Sequence, residues 1–172
     1  MHMTSRGPEP AEEGAAAGSE AQKAHREWAR QVQQALEVLA RRLQDRRPLH
    51  RQDVRPLLLP LGALLAGDAH ELAADCLERV RALTTPSAAR FREAVDSELQ
   101  LAAAEYVQGV DPRFLSLPGY DFEYTLGSRE GLEARQLAAA EFGIQLPVAT
   151  VAQVESADAR LEAELERRGR SG

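Results

Sequence analysis

Apolar residues in this chain recur mainly at intervals of three and four, the period of helices that bury one side. The longest such stripe is Trp28, Val32, Ala35, Leu36, Leu39 and Leu43. It predicts a helix from Ser19, as N-cap, to about Arg46, ended by Pro48. Asp53 then caps a short helix with Pro56 in its first turn, followed by the run LLLPLGALLAG. Its unbroken apolarity predicts a centrally buried element. Pro60 is expected to kink it or split it in two, and Gly67 to end it. Asp68-Ala69-His70-Glu71 reads as a capping box, opening a helix to Leu83 with Leu72, Ala73, Cys76, Val80 and Leu83 on one face. Thr85 and Pro86 read as N-cap and first position of a helix to about Val107, striped by Phe91, Val95, Leu99, Ala102 and Tyr106. Ser128 is expected to cap the next helix, which ends at Gly143-Ile144 with Pro147 beyond. A second capping box, Thr150 to Gln153, opens a last helix carrying Val154, Ala157, Leu161 and Leu165.

One stretch departs from this period. GVDPRFLSLPGYDFEYTLGS, residues 109–128, contains Pro112, Pro118, Gly109 and Gly119, which forbid a single helix across it. Five of the eight aromatic residues fall between Tyr106 and Tyr124. From Tyr120 to Leu126 aromatic or apolar residues alternate with polar ones, so an extended chain would place Tyr120, Phe122 and Tyr124 opposite Asp121 and Glu123. The fold class expected is therefore all-α: a bundle of five to six helices with a central aromatic loop or short strand. The helical domain spans 19–168. Residues 1–18, which lack a large apolar side chain after Met3, read as a disordered tail, and 169–172 as a flexible C-terminus.

Composition refines this picture in a few places. Lys23 is the only lysine against twenty arginines, asparagine is absent and Ile144 is the only isoleucine. Such usage fits a bacterial genome of high GC content and discounts the alanine richness as a helix signal. Met1-His2 reads as a cloning remnant before Met3. The single Cys76 excludes an internal disulfide and points inward, where a thiol is ordinarily inert. No signal peptide is visible and the longest apolar run, 57–67, is half a membrane span, so a cytoplasmic protein is expected. Charge is uneven. Residues 24–55 hold eight arginines against four acids, while 56–172 hold eleven arginines against nineteen acids. The acidic majority argues against nucleic acid as a partner.

No phosphate loop, zinc-binding helix or serine elbow occurs, and the four histidines lie on separate elements. Neither a metal nor a cofactor is implied, and no catalytic residue is assigned. Glu93, Glu98 and Glu105 read as surface carboxylates. The helical pattern resembles many α-helical bundles and carries no specificity. The reading favoured is a non-catalytic interaction module, such as an adaptor, regulatory or accessory subunit, with a protein partner and capable of pairing with its own copy. Its candidate binding residues are Phe114, Tyr120, Asp121, Phe122, Glu123 and Tyr124 in the aromatic segment. Arg46, Arg47 and Arg51 join them from the basic corner, 41–55. The alternative is a small helical enzyme or ligand-binding bundle with Asp121, Glu123 and Tyr124 at a pocket. Weak nucleic-acid or phosphate binding by the basic corner ranks third. Aromatics exposed on a flat surface would favour the module; a concave pocket enclosing Asp121 or Glu123 would favour the alternative.

Overall fold

A computed structural model describes residues 10–170, and over this span the chain is a bundle of helices with no strand. In chain order these are α1 (Pro10–Gln44), α2 (Arg51–Ala66), α3 (His70–Thr84), α4 (Ala88–Gly109), the single turn α5 (Pro112–Leu115), α6 (Phe122–Ala140) and α7 (Val148–Arg170). A 3-10 turn, Thr85–Ser87, joins α3 to α4. No helix among the described residues is long and apolar enough to cross a membrane.

The expected central element is α2. It packs against α1, α3, α4 and α6, and its Val54, Leu57, Leu58, Leu61 and Leu64 are fully buried. It is one helix that continues past Pro60, so the split expected there as one outcome does not occur, and Pro56 lies in its second turn rather than its first. Each interior proline disfavours a helix by about 3 kcal/mol. Full burial of a leucine or valine side chain contributes about 1.5–3 kcal/mol, and five such side chains outweigh two prolines. The helix survives because its neighbours hold it.

At Gly62 the backbones of α2 and α6 nearly touch. A Cβ added there would lie 1.9 Å from the carbonyl oxygen of Ala134. Only glycine permits this close approach of α6 to α2.

Several boundaries differ from the sequence expectation. Helix α1 starts at Pro10, nine residues before Ser19, because Pro10 suits a first helical position and alanines follow it. The remainder of the expected tail, 1–9, lies outside the described residues, as do 171–172. Helix α3 has Ala69 at its N-cap and no side-chain cap bond, so the Asp68 capping box does not form. Asp53 does not cap α2 from in front; it sits in the first turn and accepts the N–H of His50 at 2.9 Å. The stripe Phe91, Val95, Leu99, Ala102 and Tyr106 is buried as expected, whereas Glu98, expected at the surface, is only 2% exposed.

Candidate functional site

The aromatic segment is a strap between α4 and α6, tied at both ends and in the middle. Asp111 caps α5 by accepting the N–H of Arg113 at 2.8 Å, and it also pairs with the Arg113 guanidinium. That guanidinium holds the Asp111 carboxyl below the usual carboxylate range. Leu115 is buried and anchors the turn. From α7, Arg168 donates to the carbonyls of Leu115 (2.9 Å) and Leu117 (3.2 Å) and lies over the Phe122 ring at 4.6 Å. Gly119, with φ +82°, reverses the chain where an L side chain would be strained.

Beyond Gly119 the expected strand is absent. Asp121 accepts the N–H of Tyr124 at 3.0 Å and so caps α6, which begins at Phe122 rather than after Ser128. The alternation of Tyr120, Phe122 and Tyr124 is the entry and first turn of a helix. Tyr120 and Phe122 stack edge to face at 4.8 Å, and the Tyr120 hydroxyl donates to the Gly109 carbonyl. These two rings are framework. Glu123 points to solvent. Tyr124 is 77% exposed and Phe114 is 51% exposed, with the Arg113 guanidinium 5.9 Å from the Phe114 ring.

Those two exposed rings stand on the wall of a groove of about 610 Å³ between the strap, α2, α4 and α6. Arg55, Glu105, Tyr120, Asp121 and Ser128 also line it. A second cleft of about 330 Å³ shares Arg55, Glu105, Tyr124 and Ser128 with the first and continues to Gly127, Gly131 and Arg135. The two adjoin as one depression, with Phe114 and Tyr120 in its first part, Arg135 in its second, basic part, and Arg55 and Tyr124 lining both. Its floor is open because Gly127, Ser128 and Gly131 of α6 carry almost no side chain. A helix-interior glycine is disfavoured by about 1 kcal/mol relative to alanine. At Gly127 an added Cβ would meet nothing within 4 Å, so packing does not require glycine there.

Under the basic end lies the buried Glu98 of α4. Arg135 donates to its Oε1 at 3.1 Å, with Arg55 at 3.7 Å from the same oxygen and Arg51 at 3.7 Å from Oε2. Three guanidinium groups thus surround one carboxylate. Burial, reinforced by the nearby charge of Arg55, holds Arg135 below its ordinary value. Glu98 Oε2 accepts no hydrogen bond among the described residues. Beneath the aromatic end, Tyr106 donates to Asp158 of α7, which also receives Arg129 in a two-pronged pair at 2.9 and 3.2 Å. Burial, with the Asp158 bond second, raises the Tyr106 phenol above its ordinary value.

The basic corner is not one site. Arg46 and Arg47 are exposed, Arg51 turns in toward Glu98, and Arg42 faces Asp53 at 3.6 Å. The end of α1 is held instead by Arg90 of α4, which donates to the carbonyls of Leu43, Asp45 and Arg47. Of the residues singled out in the sequence, the structure gathers Phe114, Tyr120, Asp121 and Tyr124 at the groove and leaves Phe122, Glu123, Arg46, Arg47 and Arg51 outside it. It adds Arg55, Glu105, Arg135, Gly127 and Gly131. The signal for the buried pair was present. Glu98 falls four residues from both Ala94 and Ala102, and Arg135 lies among Leu132, Ala138 and Ala139 on the inward side of α6.

The depression offers rings, hydroxyls and opposed charges. Its Asp121 carboxylate is engaged by the backbone of α6, no histidine lines it, and no cluster of metal-binding side chains occurs among the described residues. No family model, curated protein or solved structure matches this chain.

Proposed function

We propose that this chain is a non-catalytic interaction module whose recognition site is the groove between the strap, α2, α4 and α6. The observation that carries this reading is the exposure of Tyr124 and Phe114 on the wall of a concavity whose other aromatics are committed to the fold. Aromatic side chains with little conformational freedom dominate recognition hot spots, and a concave setting lets a partner side chain bury them on several sides. Two adjoining clefts suit a segment of a partner protein that reaches into both better than a flat face would.

A small helical enzyme or ligand-binding bundle is the second reading, and the criterion set from the sequence falls on its side, since Tyr120 and Tyr124 line a concavity together with Asp121 rather than a flat surface. Against a catalytic version of that reading stands the work already done by Asp121 as the cap of α6, together with the position of Glu123 outside the groove. The test is comparative capture from the native cell with wild type, Phe114→Ala/Tyr124→Ala and Arg46→Ala/Arg47→Ala. The groove variant should fold normally and lose a partner that the corner variant retains. Retention of every partner by the groove variant would remove the groove from recognition.

A further inference from the structure

We propose that the strap is a movable wall of the groove, able to swing open while the bundle stays folded, and that Arg168 of α7 is the latch that holds it shut. Its role as a gate rests on the groove being a recognition site; the motion itself does not.

The bonding of the strap supports separate motion. Among the described residues, every hydrogen bond of 112–119 runs to another residue of 111–120, except the two that Arg168 donates. The N–H groups of Phe114 and Leu115 reach the Asp111 carbonyl, and the N–H of Leu117 reaches that of Phe114. The Leu117 carbonyl in turn takes the N–H of Tyr120. The strap thus carries its own turns and keeps them when it moves. The Tyr120 hydroxyl on the Gly109 carbonyl draws its two ends together, so it can swing as a closed loop. Leu115 is the one buried side chain of 112–119, and the other seven residues are exposed. Segments with so few buried apolar contacts open far more readily than a core. At Gly119 an added Cβ would meet nothing within 4 Å, which leaves that end free to turn.

The hold is concentrated in one side chain. The Arg168 guanidinium donates to the carbonyls of Leu115 at 2.9 Å and Leu117 at 3.2 Å, and it covers the Phe122 ring where the strap enters α6. Glu164, one turn back on α7, accepts from its Nε at 3.1 Å and fixes its direction. Hydrogen bonds from a charged donor are roughly twice as strong as neutral ones, and removing Arg168 releases both at once. Phe114 rides on the strap while Tyr124 belongs to α6, so opening carries one exposed ring of the groove away from the other. A partner that packs against both rings selects the closed strap.

The experiment reads opening in the full chain without a partner. Leu115→Cys places a thiol at the buried anchor, and Cys76, buried in the core, is the built-in control for global unfolding. Both thiols are labelled with N-ethylmaleimide under native conditions, and the rate at each is read by peptide mass. The introduced thiol should react faster than Cys76. Adding Arg168→Ala should speed it at least about tenfold, as the loss of two charge-assisted bonds implies, and leave Cys76 unchanged. Equal rates at the two thiols would overturn separate motion, since the strap would then open only with the whole bundle. An unchanged rate on adding Arg168→Ala, or equal acceleration at both thiols, would overturn the latch. If Leu115→Cys fails to fold, native trypsin cleavage after the exposed Arg113 replaces it: faster cleavage in Arg168→Ala than in wild type supports the latch, and equal cleavage overturns it. Capture by Phe114→Ala/Tyr124→Ala tests the groove separately, so its failure would remove the gating role and leave the motion standing.

Discussion

Removing the Glu98 carboxylate tests the energetic centre of the bundle. In Glu98→Ala, Arg135, whose side chain is 8% exposed, loses the carboxylate it pairs with while remaining buried. Breaking a buried pair from one side costs about 3–5 kcal/mol, because the remaining charge is left uncompensated. Arg51 and Arg55, at 35% and 49% exposure, are screened by water and add little. For a chain of this size each kcal/mol shifts Tm by about 2–4 °C, so a fall of about 6–20 °C is expected. Glu98→Gln keeps an oxygen acceptor for Arg135 Nε and should lose less, about 2 kcal/mol. The double variant Glu98→Leu/Arg135→Met removes both charges and should recover most of the loss, since apolar replacements of buried pairs are often neutral or better. Urea unfolding followed by circular dichroism reads these differences as changes in midpoint at constant slope. A Glu98→Ala variant within about 1 kcal/mol of wild type would refute the reasoning, as would a double variant no better than the single.

Three further outcomes follow from the same geometry. Gly62→Ala drives a methyl into the Ala134 carbonyl and should lose at least the 1–3 kcal/mol typical of overpacking, read as a lower urea midpoint. Gly127→Ala meets nothing and should gain roughly 0.5–1 kcal/mol by helix propensity, while the added methyl narrows the cleft floor and weakens partner binding in a pull-down. The raised Tyr106 phenol keeps its proton longer when folded than when unfolded, so its contribution is complete below the ordinary value of 10.0 and is lost as pH rises beyond it. Stability measured from pH 8 to 11 should therefore fall less steeply in Tyr106→Phe than in wild type.

Much of the bundle is legible in the apolar period, because stripes such as Val32–Leu39 and Phe91–Tyr106 need only a partner face to become helices. What the sequence misreads is decided by neighbours. Pro60 inside α2 signals a kink or a split locally, yet the helix continues past it, packed against four neighbouring helices. The alternation at Tyr120–Leu126 has the period of a strand, but Asp121 offers a cap to Tyr124 and the helix begins there. The groove is legible in part: aromatic clustering points to Phe114 and Tyr124. The basic end is not, because Arg55, Glu98 and Arg135 are 37 or more residues apart in all three pairings and meet only where α2, α4 and α6 pack on one another. An acid and an arginine on inward stripes of two helices are the trace of such a pair.

The groove as recognition site is tested most directly by a photo-crosslinking amino acid placed in the native cell at Tyr124, with Val148, 87% exposed on α7, as a control position. The expected result is a discrete crosslinked partner at 124 that is absent at 148 and that disappears when Phe114→Ala is added. No crosslink at 124, or the same products at both positions, would contradict it.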